Sequence, residues 1–594
     1  MARDLGHKLS AWIANGAPAG VAIDFDELDG LYPRVQPGEQ DSPEDLHTDY
    51  DTFVNYKGVD EDPDAATVID GYIAKNYLKV FSDLESVKRY VGGDPIVSKL
   101  GLVVKDKVNP TTGKITKKVR IILDNKQSGV TKSASRTHRS TLPRATHAIG
   151  GALSLMDKQG PKRKRAVRFL IADVSDAFWL IPLSKRERKY FVSKHRGRWL
   201  VFMRTAQGSR GAPLSWAAIA ALVARCVQSL FFTDDSCTEL DAKLQLYVDD
   251  PLLAMRGDDH HCKRLCVRFC VAWLVLGFNL AFSKAQCSPD VVWIGVRLKI
   301  NERRIEATIP AEKIKELLEL IASILSRNMI PLKELRTFAG KAMNIASLIV
   351  IWRPFLAACW AAMAHTTTNA ATNCVWVKQF AWSLLWIQEF LLGTTGSITR
   401  IFDYDAYYNR GSMIEVTTDA SIYGLGAWIT IDGDIISWFA IPVTQTDMDA
   451  LQRTLGSDES QQACEALVLL VALRLWKHYY RSHRAVLSVR SDNVGALTVV
   501  ASLKGTGTAL GLVARELALD LGDCEYFPQL VSHISGVANT LADVLSRRFD
   551  PTKQPWSVPV QLRSIPEASV PERTTKWWRV HSRELTFSAG KPLR

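Results

Sequence analysis

The chain has 594 residues, 47% hydrophobic and 23% charged, too long for one core and too apolar for a disordered polymer. Its ten cysteines follow no paired spacing, and no run of 18 or more apolar residues is free of charge or proline, so neither a disulfide scaffold nor a membrane span is expected. The net charge of +12 hides an asymmetry, because residues 1–70 hold 4 Lys+Arg against 16 Asp+Glu, a net of −12, which leaves +24 on the remainder. A body that basic suits a polyanionic partner, nucleic acid first.

Residues 1–70 read as an acidic, weakly structured arm with Pro and Gly scattered through it and at most short helices. The opening "MARDLGHKLSAW" lacks the apolar core of a secretory leader, which points to an intracellular chain, cytoplasmic or nuclear, with reduced thiols. From about Tyr72 the pattern turns globular. "LGLVVK" and "KVRIILD" predict two strands around the turn "NPTTGK". "RFLIADV" and "LQLYVDD" predict two more, with the helix "APLSWAAIAALVARCVQSLF" between them. "AEKIKELLELIASIL" and "LKELRTFAGKAMNIASLIV" have the periodicity of amphipathic helices. A second α/β pattern starts near Ile414: strands "IEVTTDA" and "GLGAWITI", helix "QACEALVLLVALRLW", strand "AVLSVRSD", then more helix. Residues 551–594, with six prolines and eight Lys+Arg against three Asp+Glu, predict a basic and mostly extended tail.

Asp249-Asp250-Pro251 taken alone is ordinary turn chemistry. Asp173, however, ends an apolar strand, where a carboxylate can project into a cleft. Two strands side by side would bring Asp173 and Asp249 together. Like charges at that distance need a shared proton or a cation. In a basic protein facing phosphates the natural cation is Mg²⁺, which takes oxygen ligands from carboxylates and phosphates.

The ordered set "DVSDAF", "QGSRGAP", "YVDD" and "LGFNLAFSKAQCSPDVVWIG", with "KVRIILDN" upstream, resembles the palm of reverse transcriptases, most of all those of retroelements that also carry ribonuclease H. The resemblance runs from about Pro95 to Gly295 and implies a right-hand polymerase of fingers, palm and thumb. It implies that Asp173 and Asp249 hold two metal ions (Mg²⁺ or Mn²⁺), with Asp250 as supporting ligand. One ion would acidify the primer 3′-hydroxyl and the other would stabilise the leaving pyrophosphate. Phe178 falls where the family places a steric gate against the ribose 2′-hydroxyl, and a core aromatic is the competing role. Gln207 and Gly208 match the segment touching nucleotide and template. Arg120, with Lys105 or Lys107, matches the grip on the triphosphate, and Lys284 matches a lysine that protonates pyrophosphate. Trp293-Ile294-Gly295 is similar to the primer-grip turn. Pro251 departs from the pattern, since most relatives carry an ordinary apolar residue there.

In the C-terminal third, "TTDAS", "CEAL", "RSDN" and "HISGVANTLADVLSR" set Asp419 on a strand, Glu465 on a helix, Asp492 at a strand end and Asp543 on a late helix. Four carboxylates on separate elements could converge on a second two-metal site. With His533 ten residues before Asp543, the set resembles ribonuclease H over about Ile414 to Arg548 and implies a mixed sheet flanked by helices. His533 would assist water activation or product release, and Asn539 would orient substrate.

Other signals are weaker. Cys262, Cys266 and Cys270 share a helix face near His260 and His261, but one helix does not close a tetrahedral zinc cage, so they read as buried thiols. "GPKRKR" could be an import signal, a template contact or a solvated basic loop. "TKWWRVHSR" could touch nucleic acid through paired aromatic and basic residues.

The expected fold class is multidomain α+β and α/β: an arm at 1–70, polymerase fingers and palm at 71–300, a helical thumb and connection at 301–410, a ribonuclease H-like domain at 411–550 and the tail at 551–594. The implied function is RNA-directed DNA synthesis coupled to hydrolysis of RNA in RNA–DNA hybrids, in a retroelement. RNA template, DNA primer, hybrid and dNTPs are the implied partners, with two ions at each site. The alternative is a non-catalytic RNA-binding scaffold that keeps both folds.

Overall fold

The sequence folds as two units, one formed by Met1–Pro143 with Arg163–Ser288, the other by Arg144–Lys162 with Pro289–Arg594. The computed structural model describes residues 4–36, 41–108, 115–156, 166–205, 208–233, 239–364, 371–408, 410–481, 485–522, 524 and 530–588. Its mixed, multidomain α+β and α/β class is the one the sequence pattern predicts.

In the first unit, helix α1 (Pro63–Ala74) starts on an Asp62 cap that accepts from the N–H groups of Asp64 and Ala65. Strands β1 (Lys99–Val108) and β2 (Ile115–Asp124) form a separate antiparallel ribbon. The central sheet contains β3 (Ala166–Ile171), β4 (Ala242–Tyr247), β5 (Asp250–Gly257) and β6 (Gln286–Ser288) in the order β4-β5-β3-β6, all antiparallel. Helices α2 (Ala212–Gln228) and α3 (Asp259–Val275) supply Trp216, Phe269 and Trp273 to the core beside this sheet. Residues Ala212–Phe231 are long and apolar enough to cross a bilayer, yet Leu214, Trp216, Ile219 and Val223 are buried in that core, which accounts for the apolarity.

The acidic arm is not weakly structured. Leu9, Trp12, Phe25 and Leu28 are buried in the same core as Trp216. Its backbone is held by Glu187, a fully buried carboxylate that accepts from the N–H groups of Ala19 (3.2 Å), Val21 (3.3 Å), Ala22 (3.2 Å) and Ile23 (3.1 Å). Its acids meet the basic body: Asp4 with Arg225 at 2.7 Å, Asp29 with buried His138 at 2.9 Å, Asp70 with Arg198 at 3.0 Å. The composition rule for disorder counts charge on the segment alone and misses charge supplied by the partner surface.

The second unit contains helices α4 (Ala311–Leu325), α5 (Leu332–Ala346), α6 (Arg353–Ala364) and α7 (Ala381–Leu392). They are followed by a five-stranded sheet of β7 (Ser412–Ala420), β8 (Gly424–Ile431), β9 (Asp434–Pro442), β10 (Ala485–Ser491) and β11 (Leu530–His533). The strand order is β9-β8-β7-β10-β11, antiparallel across the first three and parallel across the last two pairs. This is the mixed sheet expected for the C-terminal domain. Helices α8 (Gln445–Leu451), α9 (Gln461–Leu475), α10 (Val494–Ser502), α11 (Gly507–Gly522) and α12 (Thr540–Ser546) complete it. Ten of the 15 residues of α9 are apolar and buried, including Leu467, Leu470 and Leu473, so this helix lies inside the domain.

The described part of the tail is packed rather than extended, and its last element is α13 (Arg579–Ser588). Leu562, Trp578 and Val580 are fully buried. Arg573 forks onto Asp447 of α8 at 2.8 and 3.0 Å and donates to the Pro442 carbonyl at 2.6 Å. Arg474 bonds Glu516 (2.8 Å), Asp520 (2.6 Å) and the Trp577 carbonyl (2.8 Å), with its guanidinium 4.2 Å from the Trp577 ring. "TKWWRVHSR" therefore faces inward at Trp578, while Arg579 and Arg583 pair with Asp520 and Glu389. An extended tail is what the sequence predicts, because the partners of these cations lie far off along the chain. Asp447 and Arg573 are both buried, so Arg573→Ala strands a charge and is expected to cost about 3–5 kcal/mol in urea denaturation of the full chain. A change below about 0.5 kcal/mol, the scale of an exposed pair, would contradict this packing.

Candidate active sites

The ladder between β3 and β5 continues beyond Ile171: the Ala172 N–H donates to the Pro251 carbonyl (3.1 Å) and the Val174 N–H to the Asp249 carbonyl (2.8 Å). Asp173 thus lies beside the Asp249-Asp250 corner. On its other side the Ala281 N–H donates to the Asp173 carbonyl and the Ser175 N–H to the Asn279 carbonyl, both at 2.8 Å. These bonds bring Lys284 alongside, and its ammonium is ion-paired with the Asp173 carboxylate.

The corner itself is a two-residue turn, Val248-Asp249, closed by the Tyr247↔Asp250 pair. Val248 has φ +54°, costly for a β-branched residue. The Trp216 indole N–H donates to its carbonyl at 2.8 Å and holds it there. Pro251 sits opposite Leu246 in β5, lacking a donor while its carbonyl still serves β3.

Burial first, then repulsion from Asp173, raises the Asp249 carboxyl above its ordinary value, against the pull of Lys284 and Arg120. Burial and the neighbouring charges of Asp249 and Asp173 push Asp250 up to about 6. Asp173 and Asp249 open on a cavity of about 500 Å³ whose walls also include Arg120, Phe178 and Lys284, and Asp250 is not part of that wall. Phe178 is half-buried, 6.3 Å from the Trp216 ring, and still lines the cavity.

Not every expected residue gathers there. Gly208, at φ +106°, packs where a Cβ would stand 2.3 Å from the Leu123 carbonyl, a position against β2 rather than on the cavity wall. Lys105 and Lys107 lie on β1 opposite Lys118 and Thr116, with their side chains outside the described residues. Gln207 and "GPKRKR" also lie outside them. Trp293 lies in the second unit, where Ile294 and Gly295, both at positive φ, form a tight hairpin turn. Cys266 lies 4.0 Å from Cys287, Sγ to Sγ, and His261 pairs with Asp241 at 2.9 Å. Sequence reasoning missed Lys75 and Asp176, which pair at 2.6 Å on the cavity wall. Asp176 stood inside "DVSDAF", whereas nothing near Lys75 marked it.

In the second unit, β7 presents Asp419, α9 presents Glu465, and Asp492 directly follows β10. One ligand atom from each lies within 4.8 Å of the others, and among the described residues this is the group of three that meets that spacing. Asn493 caps α10 by accepting from the Ala496 N–H at 2.9 Å, which fixes the backbone next to Asp492. Asp543 sits apart from the trio, bonded to Arg547 at 2.7 Å. His533 is exposed at the end of β11, in register with Ser491. Asn539 is buried and donates to the Thr418 carbonyl at 3.0 Å, a bond to the β7 backbone rather than toward open solvent.

Burial, with repulsion from Asp492 and Asp543, pushes Asp419 up to about 7 although Ser546 bonds it. Burial and the charges of Asp419 and Asp492 push Glu465 up to about 9. Glu465 is 4% exposed and its Oε2 has no hydrogen-bond partner. An orphaned buried oxygen converging with two others fits a hard divalent cation such as Mg²⁺ or Mn²⁺.

An unfolded Glu465 releases its proton near 4.5 and the folded one near 9, so the fold is favoured while the acid is neutral and loses that advantage as pH rises between those values. Glu465→Gln cannot ionise. In chelator-treated protein its melting temperature should rise relative to wild type between pH 5 and pH 8, by roughly 2–4 °C for each kcal/mol in a domain of this size. A difference that is flat across that range in calorimetry would contradict the raised acid.

No protein-family model matches the chain, and no curated protein matches it. Solved structures do. A foamy viral protease-reverse transcriptase in complex with dsDNA aligns at 16% identity and TM-score 0.42, over 90% of this chain and 97% of that one. The dRH form with ds DNA aligns at 15% and 0.41, over 90% and 81%. The same protein with an RNA/DNA hybrid aligns at 15% and 0.39, over 96% and 65%. Values this low carry no chemistry across, so function has to be argued from the carboxylates themselves.

Proposed function

We propose that this chain is an RNA-directed DNA polymerase with a ribonuclease H domain, of retroelement type. The observation that carries the proposal is the pairing of Asp173 with the Asp249-Asp250 corner at the edge of a cavity that also holds Arg120, Lys284 and Phe178. Half-buried like charges facing cations and a ring form a site for a nucleoside triphosphate and its counter-ions. The second acid cluster, on a separate mixed sheet, supports the paired hydrolase activity.

In the first site Asp173, Asp249 and Asp250 hold the divalent ions. Arg120 binds triphosphate oxygens. Lys284, paired with Asp173 beforehand, is placed to give a proton to departing pyrophosphate, and Phe178 bars a ribose 2′-hydroxyl. Asp419, Glu465 and Asp492 hold the ions of the second site, with Asp543 joining from its Arg547 pair and His533 serving the water or the product. Bound divalent ions supply acidification of the attacking hydroxyl or water and charge neutralisation at the leaving oxygen. The partners are RNA template, DNA primer, dNTPs and the hybrid.

Primer extension on an RNA template with Mg²⁺ or Mn²⁺ tests this. Asp249→Asn should lower extension more than about 100-fold, beyond the usual loss of an indirect metal-site support. Equal extension by wild type and variant would remove Asp249 from the site, and no extension by either would favour the non-catalytic scaffold. Separately, Asp492→Asn should abolish hybrid cleavage and leave extension intact, and joint loss of both would contradict two independent sites.

A further inference from the structure

Two neutral side chains beside the second acid cluster belong to none of the roles given above. Ser546, the last residue of α12, is fully buried, and its hydroxyl donates to Asp419 Oδ2 at 2.6 Å. The same oxygen lies 2.9 Å from the Asp543 carbonyl, the usual back-bond of a helical serine. One hydroxyl proton serves one acceptor, and an ionised carboxylate is the stronger one. Gln461, the first residue of α9, donates two N–H bonds from Nε2: to the Ala420 carbonyl at 2.6 Å and to Glu465 Oε1 at 2.9 Å.

The seat of Ser546 is built into the sheet. Asp419 pairs in register with Gly426 of β8. A Cβ on Gly426 would stand 2.5 Å from the Ser546 nitrogen, and one on Gly424 would stand 2.4 Å from the Ser546 carbonyl oxygen. Only glycine at both positions lets the end of α12 lie this close to β8, opposite the strand that carries Asp419. Ser421 adds a bond from its hydroxyl to the Ser546 carbonyl at 2.9 Å.

The outcome is a division of oxygens. Asp419 Oδ2 is taken by Ser546 and Glu465 Oε1 by Gln461, while Glu465 Oε2 is buried without a partner. We infer that Ser546 and Gln461 are positioning residues of this site: each engages one oxygen of a buried acid, so that the other is turned toward a divalent ion, and Gln461 also ties α9 to the end of β7. The inference deepens the hydrolase function proposed above and rests on it. It assigns no contact with substrate to either residue.

The test uses the full chain with Asp173→Asn and Asp249→Asn, so that the first site is weakened and Mn²⁺ binding, followed by electron paramagnetic resonance after chelator treatment, reports on the second. Ser546→Ala and Gln461→Ala should each weaken Mn²⁺ binding by about 10-fold, the scale of lost support behind a metal ligand. Ser546→Cys keeps the bulk but donates poorly, and should behave like the alanine variant, whereas a purely space-filling serine would be rescued by it. If Ser546→Ala does not fold, as judged by its melting transition, Gln461→Ala decides alone. Unchanged Mn²⁺ binding in the folded variants, with a parent that binds and an Asp419→Asn reference that does not, would overturn the positioning role and leave the hydrolase function standing. A parent that binds no more Mn²⁺ than the Asp419→Asn reference would overturn both.

Discussion

Carboxylates gathered away from water are the constraint around which both units are arranged. Burial raises Asp249 and Asp250, helped by Asp173 at the first and by Asp249 and Asp173 at the second, and burial with neighbouring acids raises Asp419 and Glu465 too. A fold gains nothing from such groups. It has to hold them in place against their own repulsion, and the means are visible: a continued β-ladder and a tryptophan behind the Asp249 turn, and helix caps, a glycine pair and two amide or hydroxyl donors around Asp419. The structure spends rigidity where the charge is least comfortable.

The two sites solve the problem differently. At the first, a lysine already answers Asp173 and the acids share a broad cavity. At the second, among the described residues no cation is ion-paired with the trio, and neutral donors occupy one oxygen each of Asp419 and Glu465. The first opens on a cavity of about 500 Å³, whereas the second gathers one oxygen from each of three acids within 4.8 Å.

Much of this was legible in the sequence. Strand and helix positions around "RFLIADV", "LQLYVDD" and "IEVTTDA" follow from apolar runs and turn residues, because those signals are local. The partnership of Asp173 with Asp249 was reachable from strand ends alone. What sequence could not supply was long-range compensation. An arm with a net charge of −12 looks disordered until the basic surface that receives it is known, and a proline-rich tail looks extended until Asp447 and Glu516 are found buried and waiting for it. Ser546 escaped notice for the same reason: its importance lies in the closeness of two glycines from another element, and "GLGAW" reads simply as a strand. Asp543 and Asn539 show the converse, since motif spacing placed them near the site but not what each would bond.

The buried pairs of the tail also bear on how the second unit forms. Arg573 meets Asp447 across 126 positions, and Arg583 meets Glu389 across 194. Contacts of that separation are entropically late, because the whole intervening loop must be ordered before they form. Until then Asp447 lacks the guanidinium of Arg573, whereas Glu516 already meets Arg474 of α9. The tail therefore belongs to the last stage of assembly of the second unit, and its loss would leave the buried carboxylate of Asp447 without the cation that answers it.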